Sequence, residues 1–123
     1  SYFNIGDISQ IEVQNLPSSC YDSLQGKHTD VPSTRKIEQG VDCIYTLEED
    51  KTFLVDKAFN RRIQITHHHA DSIVLWNPWE KTPSAMKADG YRNMVCIETA
   101  RLEKLLQFGE SISAEITVLL ADI

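Results

Sequence analysis

Hydrophobic and polar residues alternate along most of this chain with a period of two. In the clearest run, 112–120, Ile112, Ala114, Ile116, Val118 and Leu120 fall on one side, and Ser113, Glu115 and Thr117 on the other. Successive side chains of a strand point to opposite faces, so this pattern predicts a half-buried β-strand. Residues 8–16 hold a shorter version, with Ile11 and Val13 against Glu12 and Gln14, and residues 62–66 are a third. Residues 43–47 and 52–56 are strand-like, and the charged stretch Glu48-Glu49-Asp50-Lys51 between them reads as a hairpin turn. Residues 72–76 and 94–98 are short apolar or β-branched runs of strand length, and residues 1–5 are strand-like from the start.

Helical patterning is scarce. Residues 82–90 could hold a brief helix, capped by Thr82, with Pro83 at its first position and Gly90 at its end. Residues 99–108 could form another helical turn before Gly109. Residues 26–39 are polar, carry Pro32 and several Ser and Thr, and read as a long loop. Short strands separated by turn signals predict an all-β sandwich or barrel. Seven or so amphipathic strands must find cover within 123 residues, which points to part of a larger sandwich.

Composition narrows this picture. A chain 41% hydrophobic and 24% charged is an ordinary globular one, about one domain long. Eighteen acidic against twelve basic residues give a formal charge of −6, which argues against general nucleic-acid binding and against docking on anionic membranes. No apolar run approaches the roughly 20 residues of a membrane span. The three cysteines Cys20, Cys43 and Cys96 are odd in number and form no CxxC, which fits free thiols in a reducing compartment. The expected location is the cytoplasm.

Four places could carry chemistry. In the first, residues 73–79, a strand delivers Trp76 and then Asn77-Pro78 breaks it. This is either a buried aromatic anchor with a turn, or a pocket wall with an aromatic face for a sugar ring and the Asn77 amide for hydrogen bonds. In the second, Met94, Cys96 and Glu98 share a strand face. Glu98, beside apolar neighbours, would be desolvated, which raises a carboxylate's proton affinity and suits a general base. The plainer reading has Glu98 at a solvated strand end. In the third, Asp42 stands where the long loop meets a strand, and either holds sugar hydroxyls or caps the loop's own N–H groups. The fourth is His67-His68-His69. Its spacing could give two zinc ligands on one strand face, but no third ligand lies nearby in sequence, and the run is expected to be a solvent-exposed hairpin. His28 is expected to be exposed, and Cys96 to be a buried, inert thiol. GxGxxG, P-loop, GxSxG and HExxH motifs are all missing from the sequence.

Ser1-Tyr2-Phe3, Val41-Asp42 followed by Tyr45, the Val74-Leu75-Trp76-Asn77-Pro78-Trp79 element and Met94-Val95-Cys96-Ile97-Glu98, in that order, resemble the D-hexose-6-phosphate mutarotases. These are the glucose-6-phosphate 1-epimerases, of the bacterial YeaD type, within the aldose 1-epimerase superfamily. The resemblance implies a galactose-mutarotase-like antiparallel β-sandwich, with residues 1–123 as the C-terminal portion of that single domain. It implies interconversion of the α and β anomers of an aldohexose 6-phosphate, with no metal or organic cofactor. Glu98 matches the family's base, Asp42 matches the acid that contacts sugar hydroxyls, and Trp76 and Asn77 shape or support the pocket. The family's catalytic His directly precedes the Ser/Thr-Tyr-Phe motif, so its position falls just before Ser1, and none of this chain's four histidines matches it. The phosphate-binding arginines belong to the N-terminal part. Two neighbouring positions depart from the family pattern: Thr99-Ala100 stand where Pro-Gly often follows the Glu, and Cys43 stands where Arg often follows the Asp.

The expected partners are therefore a hexose 6-phosphate and the N-terminal half of the same domain, with no nucleic acid and no membrane, in a protein that is monomeric when intact. Alone, residues 1–123 are expected to be inactive. The alternatives are a non-catalytic sugar-phosphate or carbohydrate-binding sandwich and a purely structural one. Only a chain that binds the sugar phosphate would gain melting temperature from it.

Overall fold

A computed structural model describes residues 1–120, with the side chain of Leu120 outside the description. The alternating runs become strands: β1 (Tyr2–Asn4), β2 (Ile11–Gln14), β3 (Ser19–Asp22), β4 (Lys27–Asp30), β5 (Val41–Thr46), β6 (Lys51–Asp56), β7 (Arg61–His68), β8 (Ser72–Asn77), β9 (Met94–Ala100) and β10 (Ser113–Leu120). They form two antiparallel sheets, one in the order β1-β9-β8-β5-β3-β4 and one in the order β10-β7-β6-β2. The expected all-β antiparallel sandwich is what the chain builds.

The core lies between the sheets. Val41, Cys43 and Tyr45 of β5 face Ile63 and Ile65 of β7 and Leu54 of β6 across it, all within one buried cluster. Alternation decides this, since the residues between them on β5, Asp42 and Ile44, are only half-buried on the sheet's other side. The polar groups that enter the core bring partners. His67 sits between Thr52 Oγ1 at 2.9 Å and Thr99 Oγ1 at 2.7 Å, which ties β6 and β7 to β9. Asp56, fully buried, receives Arg61 Nε at 3.0 Å.

Several expectations need correction. The stretch 48–50 is not a hairpin turn. It carries the chain from the six-stranded sheet to the four-stranded one, because β5 pairs with β3 and β8 while β6 pairs with β2 and β7. The run 26–39 is not all loop, since β4 closes a hairpin onto β3 at the sheet edge. Residues 82–90 make isolated turns, Met86 N–H to Pro83 O and Gly90 N–H to Lys87 O, too short to repay helix nucleation. Thr99 and Ala100 continue β9, and residues 101–112 hold no helix. The histidine run is not an exposed hairpin either. His67 and His68 belong to β7, His67 is buried, and only His69 turns the chain, at φ 58°. Finally, β10 is not half-buried. Ile116 and Val118 pair with the buried Ile65 and Ile63, yet are themselves 44% and 55% exposed.

Candidate active site

Strand register places three of the four predicted residues, Asp42, Trp76 and Glu98, on the outer face of the six-stranded sheet. Tyr2 of β1 pairs with Cys96 of β9, Cys96 with Trp76 of β8, and Trp76 with Asp42 of β5. Directly opposed residues of an antiparallel pair share a face, so these four form one row across the sheet. The next row runs Glu98, Val74, Ile44, Tyr21 and His28. Glu98 therefore lies one step along β9 from Cys96, on the face that carries Trp76 and Asp42. By strand spacing and rise, the Glu98 and Asp42 backbones stand about 12 Å apart.

Glu98 is not desolvated as expected. Its side chain is 50% exposed, and Oε2 lies 3.2 Å from the Ser1 amino nitrogen. The apolar residues before it on β9 are buried, but the strand carries its end out beyond the cover they have. Cys96 matches its expectation. Burial, with the Glu98 charge adding, pushes its thiol up to about 11, which keeps it protonated and a poor nucleophile.

Asp42 and Trp76 border a cleft of about 590 Å³. Its rim comes from the turn after β3 (Asp22, Leu24, Gln25) and the turn after β8 (Pro78 to Lys81), and Glu98 lies outside its lining. Three carboxylates, Asp22, Asp42 and Glu80, face one cation, Lys81, so the cleft is acidic.

Asn77 also borders this cleft, but its side-chain amide is turned away from it. It points to the inner face, is 1% exposed, and has its amide fully engaged by the protein. Nδ2 donates to Tyr91 O at 2.9 Å and Met94 O at 3.0 Å, and Oδ1 accepts the Trp79 N–H at 2.7 Å. It fixes the turn that holds Trp79 at φ 56°, a left-handed conformation uncommon for a bulky residue. Of the two roles the sequence left open, pocket support is the one its geometry fits, and a direct hydrogen bond to substrate is not. Among the described residues, no three His, Cys, Asp or Glu side chains gather as metal ligands. The residue that sequence reasoning passed over is Tyr2. Its place opposite Cys96 needs only the pairing of β1 with β9, which no local pattern announces.

This geometry belongs to a recognisable class. The aldose 1-epimerase family model matches residues 1–119, and the chain belongs to that family. A Haemophilus influenzae relative called "Putative glucose-6-phosphate 1-epimerase" is 52% identical over 118 residues, covering 96% of this chain and 44% of the relative. A protein of the same name from Cenchrus ciliaris is 33% identical over 110 residues, covering 85% of this chain and 33% of that relative. The crystal structure of HI1317 is 52% identical with a TM-score of 0.94, over 96% of this chain and 44% of that one. The structure described as "a putative mutarotase (YeaD)" from Salmonella typhimurium is 29% identical with a TM-score of 0.87, over 96% of this chain and 43% of that one. The chain thus spans less than half the length of these relatives. No helix among the described residues is long and apolar enough to cross a membrane.

Proposed function

We propose that residues 1–123 are the C-terminal portion of a hexose-6-phosphate mutarotase domain, and that the intact protein interconverts the α and β anomers of an aldohexose 6-phosphate such as glucose 6-phosphate. The observation that carries this is the placement of Glu98 on the sheet face that also presents Trp76 and Asp42.

Anomerisation needs one group to take the proton from the C1 hydroxyl and another to give one to the ring oxygen. As the C1–O5 bond breaks, C1 becomes the aldehyde carbon. Rotation about C1–C2 and reversal of the two transfers close the ring on the other face. Glu98 is the base. On the family pattern the acid is the His directly before the Ser/Thr-Tyr-Phe motif, at the position before Ser1. Ser1 and Ile97 exchange both backbone hydrogen bonds, at 2.7 and 2.9 Å. One further residue on β1 would therefore stand directly opposite Glu98, on the same face, at the close spacing of a non-hydrogen-bonded pair. The family's His occupies that position. A carboxylate and an imidazole so placed flank one ring carbon.

The acidic cleft beside Asp42 suits a neutral polyol and repels a phosphate dianion. The sugar hydroxyls therefore face Asp42, and the phosphate lies away from the cleft, against cationic groups of the N-terminal part. The test is NMR exchange between the glucose 6-phosphate anomers, catalysed by the intact protein and by its Glu98→Gln variant. The expected loss is at least about a hundredfold in kcat, the usual weight of a general base. Unchanged exchange in the variant removes Glu98 from the mechanism. Binding without exchange in the unmodified protein makes it a carbohydrate-binding sandwich instead.

A further inference from the structure

We infer that Gly40 and Trp79 set the room for the sugar in the cleft beside Asp42, Trp79 as an aromatic wall and Gly40 as a bare floor in front of it. The inference rests on the mutarotase reading. It assigns a specificity-determining role to residues outside the base, the acid, Asp42 and Trp76. Because Glu98 lies outside this cleft, the edge of the sugar that enters it is the one away from C1.

Trp79 borders both the cleft of about 590 Å³ and a second one of about 570 Å³. A bulky residue at φ 56° is strained, and such strain persists only where the surroundings impose it. Here Asn77 Oδ1 accepts the Trp79 N–H at 2.7 Å, and the indole packs on the Tyr91 ring with centroids 4.9 Å apart. The chain thus leaves β8 with a second indole at the cleft, beside Trp76 and among carboxylates and the amides of Gln25 and Gln39. Aromatic faces for C–H groups and polar groups for hydroxyls are what a sugar needs.

Gly40 lies two residues before Asp42, and so on the same side of the strand that follows. Its backbone does not ask for glycine, since only Gly26 and Gly109 of the five glycines have positive φ. Packing does not ask for it either. A Cβ on Gly40 would lie 3.6 Å from Leu24 Cδ1, 3.8 Å from Pro78 O and 3.8 Å from Trp79 Cβ, which is ordinary van der Waals contact. What the missing side chain preserves is the cleft. Leu24, Pro78 and Trp79 border it together with Gly40, so a longer side chain there would run into the space they enclose.

Contact with the wall is made equally in the ground state and the transition state, so its loss should raise KM more than it lowers kcat. In the intact protein, KM for glucose 6-phosphate is expected to rise in the order Gly40→Ala, Gly40→Val, Gly40→Leu, by about tenfold at Leu with kcat within about threefold. Trp79→Ala is expected to raise KM by about tenfold as well, and Trp79→Phe to recover most of that because a ring remains. A purely structural role would lower the melting temperature of these variants and leave KM where it was. Folded Gly40→Leu with an unchanged KM overturns the inference while the mutarotase reading stands. Should the unmodified protein bind glucose 6-phosphate without anomerising it, the same series is read as shifts in Kd, and the inference can stand while the catalytic reading falls. If it neither binds nor turns over, both fall. Should Trp79→Ala fail to fold, the Gly40 series decides.

Discussion

Asn77 and Asp42 sit near each other on neighbouring strands and face opposite sides of the sheet, so their replacement should separate stability from binding. Removing the Asn77 amide leaves the carbonyls of Tyr91 and Met94 and the Trp79 N–H without their partner. Unsatisfied buried groups are costly, and Asn77→Ala is expected to lower unfolding free energy in urea by about 2–4 kcal/mol. Asp42 is half-buried on the open face, and Asp42→Asn should leave stability within about 0.5 kcal/mol while raising KM for the sugar phosphate. His67 makes a third case. Burial pulls its pKa down to about 4, against the opposing pull of Asp50. The unfolded chain then binds the proton first as pH falls, so stability is complete above about pH 6.5 and declines as pH drops toward 4. The melting temperature should follow that decline, and His67→Gln should flatten it. The alternation that turns Asn77 away from Trp76 is legible in the sequence, yet the sequence alone offers both to the pocket, because the partners of the Asn77 amide, Tyr91 and Met94, lie 14 and 17 residues away. The exposure of Glu98 was not legible, because it depends on how far the rest of the fold covers the end of β9. The burial of His67 was hidden for a related reason: its partners, Thr52 and Thr99, are 15 and 32 residues away.

Among the elements, amphipathic strands announced themselves and polar ones did not. β10, β7 and β8 follow their hydrophobic periods, whereas β4 (Lys27–Asp30) has no apolar face and is a strand only because it completes the edge beside β3. Pairing was less legible than existence, and the segment joining β5 to β6 looked like a hairpin because charge runs mark turns without saying which sheet they lead to. The segment after β9 shows what a tertiary contact can impose. Asp71 accepts the N–H groups of Leu102 and Lys104 at 2.8 Å and of Glu103 at 3.3 Å. Although burial pulls the Asp71 carboxyl upward, these N–H bonds and the Ser72 hydroxyl outweigh it and hold it below the usual carboxylate range. Arg101 reaches back to His69 O at 3.0 Å. This pair of anchors fixes residues 101–104 against the β7–β8 turn. Asp71→Ala should release that segment, and limited proteolysis should then cut between residues 101 and 112 several-fold faster, with the rest of the sandwich still protected. Cutting at an unchanged rate would show that the carboxylate does not hold the segment.

At the scale of the whole molecule, the distribution of apolar surface is uneven. The inward row of β10 continues the core face of β7, but while Ile63 and Ile65 are buried, Ile116 and Val118 are about half exposed. Leu105 and Phe108, in the segment leading to β10, are exposed as well. Burying a side chain of this kind contributes about 1.5–3 kcal/mol, so a face that leaves several uncovered favours association. β10 is also an edge strand, with one row of backbone groups open to pairing. In the proposed mutarotase domain the remaining half would cover this face. Residues 1–123 produced alone should therefore associate at micromolar concentration and bind a hydrophobic dye. Supplying the N-terminal part of the domain as a separate chain should suppress both effects and, with Glu98 present, restore anomerisation. Ile116→Lys combined with Val118→Lys should also keep residues 1–123 dispersed, because charge opposes edge pairing, but should prevent rescue by the N-terminal part. A dispersed, dye-silent 1–123 would mean that the exposed row needs no cover. Rescue undiminished by the lysines would mean that the N-terminal part docks elsewhere, leaving Glu98 to meet its acid by a different route.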